Sequence, residues 1–299
     1  MTETVCGAGY SSVPHYRVEH PAFVLDYDRF LGDPGSPDSD TGAMGRLYAV
    51  MGELGLDDSP LRTIQRQIQQ YGGSFTPLRY VRHATTKEQL AELKLRYVTA
   101  AKPPLLYEDA QPLLELLRGS GLSHMVLTYG EDAEWQLGFK AAGSSYQGYV
   151  EVTPHARKSE HIAGWQDGCG EFAFAALSPD GEVTGVYHHR EILLGDDKAV
   201  AFDSLPDNIR GVLLVRAGEE RLPSQQGEVD KQKIRVIHGL AEITVPQRVA
   251  LSSAHCTRVP PDHSPRTPAG FTPVYPGKAT SRSGVLVPSL TAPAERSDI

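Results

Sequence analysis

The sequence has few cysteines and no long apolar run. Its 299 residues include only Cys6, Cys169 and Cys256, an odd number placed too far apart for a CxxC metal motif. Neither a zinc knuckle nor a full disulfide framework is expected from such spacing. No apolar stretch approaches membrane-spanning length, and the opening MTETVCGAGYSS lacks the basic and apolar regions of an export signal. These absences predict a cytoplasmic chain with reduced thiols and no membrane partner.

The sequence also lacks an excess of basic residues. Lys and Arg together number 29 against 37 Asp and Glu, for a formal net charge of −8. Binding to a phosphate backbone normally uses clustered Lys and Arg, so no nucleic-acid partner is expected. The 40% hydrophobic and 22% charged content is ordinary for a globular protein of one large domain or two. Composition leaves the oligomeric state open.

Five short apolar segments predict β-strands. Several are continuous runs, which is typical of strands covered on both faces. Helical patterns at 108–121 and 131–143 lie between them. This alternation predicts an α/β fold, a Rossmann-like parallel sheet whose ligand site lies at the carboxyl ends of the strands. The predicted strands are 22–26, 124–128, 148–152, 191–196 and 211–216.

The long stretch between the first two strands predicts helices rather than sheet. Its apolar residues form three stripes at helical spacing. We interpret 33–104 as an inserted helical cap, with 20–32 and 105–244 forming the core. A helical bundle packed on the sheet without covering the site is the alternative. The stripes are Met44, Leu47, Tyr48, Met51 and Leu54; Ile64, Ile68 and Tyr71; and Leu90, Leu93 and Tyr97.

Three further segments carry weaker patterns. Residues 172–187 predict a β-hairpin around the turn residues 178–181. In 229–243, Ile234, Ile237 and Leu240 have a helix-compatible spacing and are expected to close the core. Residues 245–299 are rich in Pro, Ser, Thr and Arg, which predicts a tail or irregular extension rather than a second domain.

Polar residues stand at or shortly beyond the ends of four predicted strands. Taken one at a time, each is an ordinary turn, loop or helix-start residue. Adjacent residues of a strand point to opposite faces, so His188 and His189 are not expected to share a metal ion. The strand-end residues are Asp26 and Asp28, Thr128 and Tyr129, Lys158, and Asp196 and Asp197.

In this order the strand ends resemble the motifs of the haloacid-dehalogenase-like (HAD) hydrolase superfamily. VLDYDRF resembles the family's DxDx[TV] motif, MVLTYG the strand ending in Thr or Ser, RKSEHIAGW the Lys that opens a helix, and ILLGDDK the acidic pair. The resemblance covers roughly residues 20 to 243, and the second Asp indicates the phosphatase branch rather than the dehalogenases. Phe30 stands where the family has Thr or Val, which raises the question of how the turn behind the carboxylates packs.

The resemblance implies a role for each of these residues. Asp26 would be the nucleophile, and Asp28 would protonate the leaving oxygen and then activate water. Thr128, with Tyr129 beside it, and Lys158 would bind the phosphoryl group.

The resemblance also implies a metal and an activity. Asp26, the Asp28 main-chain carbonyl and Asp196 or Asp197 would hold Mg²⁺. The expected activity is magnesium-dependent hydrolysis of a small phosphorylated metabolite through an aspartyl-phosphate. A weakened domain that binds a phosphorylated ligand or a protein partner, and a phosphotransferase or phosphomutase, are the alternatives.

Overall fold

The computed structural model describes residues 13–32, 42–70, 77–99, 106–130, 149–167, 170–177, 183–216 and 233–245. The strands within them are β1 (His15–Val18), β2 (Ala22–Leu25), β3 (His124–Tyr129), β4 (Tyr149–Thr153), β5 (Phe172–Leu177), β6 (Val183–His189), β7 (Ile192–Asp196), β8 (Ile209–Leu214) and β9 (Ile234–Ile237). The α-helices are α1 (Gly42–Glu53), α2 (Ser59–Gln70), α3 (Pro77–Ala84), α4 (Lys87–Thr99), α5 (Ala110–Ser120) and α6 (Lys158–Ala163).

Six strands form one sheet in the order β4-β3-β2-β7-β8-β9, and every pairing in it is parallel. The predicted α/β Rossmann-like sheet and all five predicted strands are confirmed. The first predicted strand, β2, lies near the middle of the sheet between β3 and β7. Because all six strands run the same way, their carboxyl ends share one edge of the sheet.

Each face of the sheet packs against its own apolar cluster. On one face, Phe23 and Leu25 of β2 join Leu114 and Leu117 of α5. On the other, Ala22 and Val24 of the same strand join a cluster that includes Ile162 of α6. Residues 22 to 25 are all at most 1% exposed, as expected for a continuous apolar run covered on both faces.

Helices α1 to α4 share a third apolar cluster. Met44, Leu47, Tyr48 and Met51 of the first predicted stripe are buried in it, as are Leu93 and Tyr97 of the third. The second stripe is partly wrong. Ile64 and Ile68 are only half-buried, and α2 turns Leu61 and Gln65 inward instead, with Gln65 accepting a hydrogen bond from the Tyr48 hydroxyl.

A second sheet has the order β1-β6-β5. The predicted hairpin is confirmed as antiparallel pairing of β5 and β6, although its turn residues lie outside the described residues. Strand β1 pairs in parallel with β6, and the sequence analysis did not predict it. Its four residues, HYRV, contain no apolar run that could have indicated a strand.

The helical interpretation of Ile234, Ile237 and Leu240 is wrong. The structure instead has strand β9, the outermost strand of the large sheet next to β8, followed by a short 3-10 helix at Leu240–Glu242. Residues three apart in a strand lie on opposite faces, so Ile234 packs into the cluster that contains α6 and Ile237 into the cluster that contains α5. The segment closes the core as a strand, on both faces at once.

Several predictions concern residues that the structure does not describe. The predicted helix at 131–143 and the tail beyond residue 245 lie outside the described residues. The division of the chain into core, cap and tail stays a prediction. Among the helices of the described ranges, none has the length and apolar character needed to cross a bilayer.

Candidate active site

Three neighbouring strands bring polar residues to one edge of the large sheet. Asp26 directly follows β2, Asp196 is the last residue of β7, and Thr128 is the penultimate residue of β3. Leu25 of β2 pairs with Gly195 of β7 and with Val126 of β3, which places these strand ends side by side. All three residues are at most 3% exposed.

The chain turns sharply after Asp26. The Asp26 amide donates to the Gly195 carbonyl at 2.8 Å, and the Tyr27 carbonyl then accepts from the amides of Leu31 and Gly32 at 3.0 and 2.7 Å. These bonds close a tight turn that carries Asp28.

Asp28 lies near the C-terminal end of helix α4. It is half-buried in the turn, close enough to Tyr97 of that helix for its charge to affect the pKa of Tyr97. Burial raises the pKa of Tyr97, and the negative charge of Asp28 adds to the rise. The second carboxylate of the DxD pair is therefore close to the helical segment.

Lys158 joins the two central strand ends. It is the first residue of α6 and 2% exposed. Its Nζ atom lies 2.5 Å from Oδ1 of Asp26 and 2.6 Å from Oδ2 of Asp196. One buried ammonium group thus bridges two buried carboxylates that are 170 positions apart in the chain.

Burial and charge act against each other in this triad. Burial lowers the pKa of Lys158, but Asp196 and Asp26 together raise it above its ordinary value, so the amine stays protonated. Burial raises the pKa of Asp196, and the negative charge of Asp26 acts in the same direction. The ammonium group is what makes two adjacent buried carboxylates tolerable.

Two cations that the sequence analysis missed pair with Asp197. Lys198 donates to Oδ1 of Asp197 at 2.8 Å, and Nε of Arg29 lies 3.3 Å from Oδ2. Arg29 has φ 63°, a left-handed conformation that costs an L-residue about 1–2 kcal/mol. Both cations directly follow an acidic motif, DYD and GDD, and that adjacency was the available signal.

The acidic cluster has donors that suit Mg²⁺. Asp26, Asp196 and Asp197 are all buried and bring carboxylate oxygens within 4.8 Å of one another. Hard oxygen donors of this kind are what Mg²⁺ prefers, and it accepts one or two carboxylates together with water. The residues present therefore fit the expected ion, with Lys158, Lys198 and Arg29 as the cations that balance the same carboxylates.

The remaining predicted site residues lie on β3 and the turn. Thr128 is 0% exposed and pairs with Val152 of β4, whereas Tyr129, the next residue, is half-buried.

Phe30 is also 0% exposed. Its ring lies over Gly195 of β7, where an added Cβ would come within 2.9 Å of Phe30 Cε1 and 3.1 Å of Leu25 Cδ2. The large residue at the family's Thr or Val position thus fits because the facing strand residue has no side chain.

We expect Gly195→Ala to destabilise the protein by about 1–3 kcal/mol, because the new methyl group would overlap the Phe30 ring. Urea unfolding followed by circular dichroism measures this. Gly119→Ala in α5 is the matched control, since an added Cβ there meets nothing within 4 Å and a helical Gly-to-Ala change stabilises by about 0.5–1 kcal/mol. Equal stability of the two variants would contradict the packing described for Phe30.

Comparison with known proteins gives similarities of structure only. No family model matches the chain. No curated protein matches it either. Matches are found among solved structures.

A protein named as a haloacid dehalogenase-like hydrolase, from Burkholderia xenovorans LB400, is 14% identical over 77% of this chain and 95% of its own, with a TM-score of 0.47. A predicted phosphoglycolate phosphatase from Haemophilus somnus 129pt is 14% identical over 74% of this chain and 95% of its own, with a TM-score of 0.42. A CbbY variant from Rhodobacter sphaeroides in complex with xylulose-(1,5)-bisphosphate is 14% identical over 75% and 96%, with a TM-score of 0.44. The chain resembles the HAD-like hydrolases in the order of its four motifs along a parallel sheet.

Proposed function

We propose that the protein is a magnesium-dependent phosphomonoester hydrolase that acts on a small phosphorylated metabolite through an aspartyl-phosphate. The observation that carries this proposal is the Lys158 ammonium group, buried between the carboxylates of Asp26 and Asp196. A carboxylate nucleophile and a phosphate repel each other, so this chemistry needs fixed positive charge beside the nucleophile. A buried ion pair contributes little net stability to a fold, which leaves function as the better reason for this one.

The predicted site residues have distinct tasks in the proposed reaction. Asp26 attacks the phosphorus atom, and the bond from phosphorus to the leaving oxygen breaks. Asp28, on the turn, gives a proton to that oxygen and later takes one from the water that hydrolyses the aspartyl-phosphate. Thr128 donates a hydrogen bond to a phosphoryl oxygen, with Tyr129 beside it. Lys158 neutralises charge on the nucleophile and on the transferring group.

Asp26 and either Asp196 or Asp197, with the main-chain carbonyl of Asp28, would hold Mg²⁺. When bound, the ion supplies positive charge that offsets the phosphate and the carboxylates. Lys198 and Arg29 already balance Asp197, so this chain keeps its acidic cluster close to neutral without the ion.

The proposal is tested with the full chain, an aryl phosphate and a panel of metabolite phosphates. We expect phosphate release that requires Mg²⁺ and stops when the ion is chelated. Product analysis with an added acceptor alcohol separates hydrolysis from phosphotransfer. Absence of phosphate release from every substrate, with phosphate still bound at the site, would instead favour a binding domain.

A further inference from the structure

A second cluster of metal-ligating side chains lies in the small sheet, away from the acidic site. It consists of His188 on β6 and of Asp167 and Glu171, which both precede β5. One ligand atom from each lies within 4.8 Å of the others. His188 precedes β7, whereas Asp196 ends it, and a five-residue strand spans about 13 Å between its first and last residues. The cluster is therefore at the amino end of β7, opposite the candidate active site.

The His188 ring is buried and has one unused nitrogen. The residue is 1% exposed, and its Nδ1 atom has no hydrogen-bond partner. That atom points at the cluster, 3.9 Å from Oδ2 of Asp167. A separation of 3.9 Å is too long for a hydrogen bond. Two ligands of one ion can lie this far apart, because atoms about 2.1 Å from Zn²⁺ are about 3.4 Å apart at the tetrahedral angle and at most about 4.2 Å apart.

The other nitrogen of His188 is held by a second histidine. Its Nε2 atom lies 3.0 Å from Nδ1 of His15 on β1, and the two rings stack. If His188 Nε2–H donates to His15, then Nδ1 of His188 carries a lone pair that faces a carboxylate. A cation between them removes that conflict, and a ligating histidine usually donates its other N–H in this way.

The loop that carries the two acids is internally hydrogen-bonded. The Glu171 amide donates to Oδ1 of Asp167 at 2.9 Å, and the Asp167 amide donates to the Glu171 carbonyl at 2.9 Å. Oδ2 of the same Asp167 side chain lies 3.9 Å from Nδ1 of His188. Asp167 is thereby placed before any ion arrives.

Two arginines also face the cluster. Arg17 Nε lies 2.8 Å from Oε1 of Glu171, and the more exposed Arg190 lies 3.5 Å from the same atom. They orient Glu171 and offset the charge of the two carboxylates, so the ion must share Glu171 with them.

We propose that His188, Asp167 and Glu171 form a structural site for one divalent transition-metal ion of the zinc class, with His15 as the hydrogen-bond partner that orients the His188 ring. One imidazole and two carboxylates favour such an ion over Mg²⁺, which prefers oxygen donors alone. The ion would join β6 to the loop between α6 and β5, and through His15 to β1. The proposed site is separate from the phosphatase activity and does not depend on it.

Zinc binding to the full chain tests the proposal, by calorimetry in saturating Mg²⁺ so that the acidic site is occupied. We expect the wild-type chain to bind one more equivalent of Zn²⁺ than Asp167→Asn or His188→Gln, and its melting temperature to rise with Zn²⁺ more than theirs does. Asp207→Asn and His124→Gln, which remove the same residue types outside the cluster, should bind zinc as the wild type does.

The alternative is that Nδ1 of His188 carries a proton that faces Asp167, with no ion between the two side chains. Equal zinc stoichiometry in wild type and Asp167→Asn would establish that alternative and overturn the proposal. Because His188→Gln could fail to fold, Co²⁺ added to the wild-type chain gives a second measurement. Visible absorption typical of nitrogen and oxygen ligands, absent in Asp167→Asn, is expected, and its absence in the wild type would also overturn the proposal.

Discussion

Asp26→Asn is expected to abolish phosphate release and phosphoenzyme formation together, because an amide cannot replace the carboxylate as a nucleophile. Trapping with radiolabelled substrate and acid quenching measures the phosphoenzyme, and phosphate release measures turnover. Since Asp26 would also be a metal ligand, both measurements are made at raised Mg²⁺. Circular dichroism checks that the variant is folded.

Asp28→Asn should have a smaller effect on a different step. Loss of a general acid or base typically costs about 10²–10⁴-fold in rate, so some turnover should survive. Survival should be greatest with an aryl phosphate whose leaving group needs no proton. Hydrolysis of the phosphoenzyme should slow, because the same side chain would activate water.

Asp207→Asn is the matched control for both variants. Its carboxylate pairs with Lys233 on the surface, just before the amino end of β8, so the substitution should leave all rates unchanged. Wild-type turnover by folded Asp26→Asn would exclude the covalent mechanism. The binding-domain alternative would then be the better interpretation of this site.

Lys158→Met is expected to reduce both activity and stability. Methionine has a similar length but no charge, so Asp26 and Asp196 would face each other uncompensated. Removing one partner of a buried ion pair costs about 3–5 kcal/mol in free energy of unfolding. Urea unfolding measures the loss, and added Mg²⁺ should restore part of it.

The loss in Lys158→Met should depend on pH. Burial and Asp26 raise the pKa of Asp196 in the folded protein above its unfolded value of 3.8, and loss of the ammonium group raises it further. In this variant the folded state would bind the Asp196 proton more tightly than the unfolded chain does. Stability therefore falls as pH rises from the pKa of Asp196 in the unfolded chain to its pKa in the folded protein. The stability that Lys158→Met loses relative to the wild type is therefore expected to be smaller at about pH 5 than at about pH 8.

Lys233→Met serves as the control for Lys158→Met. Lys233 also pairs with an aspartate, at 2.7 Å, but the Asp207 side chain is 99% exposed. Water screens such a pair, so the substitution should change stability little at either pH. Equal losses of unfolding free energy in the two variants would show that Lys158 makes an ordinary ion pair rather than being a buried charge held between two acids.

Five of the six strands of the large sheet could be predicted from sequence because each is a short apolar run covered on both faces. The same runs end at polar residues, which is why the sequence alone predicts Asp26, Thr128 and Asp196 at the carboxyl ends of the strands. Parallel topology makes this inference possible, since it brings every carboxyl end to the same edge. Strand β9 escaped prediction because Ile234 and Ile237 serve opposite faces, and a spacing of three residues is also the spacing of a helix.

Other features depended on contacts between distant segments, and only the tertiary structure could decide them. Phe30 fits in the turn because Gly195 of β7 has no side chain, and nothing near Phe30 in sequence indicates which strand faces it. Strand β1 exists because β6 offers it a hydrogen-bonding edge, which a four-residue polar segment does not reveal alone. The His188 cluster likewise joins a residue of β6 to two residues of a loop, with His15 of β1 as the hydrogen-bond partner. Sequence patterns record which residues prefer burial and which way a strand alternates, whereas the pairing of side chains across elements depends on distances that only the folded chain sets.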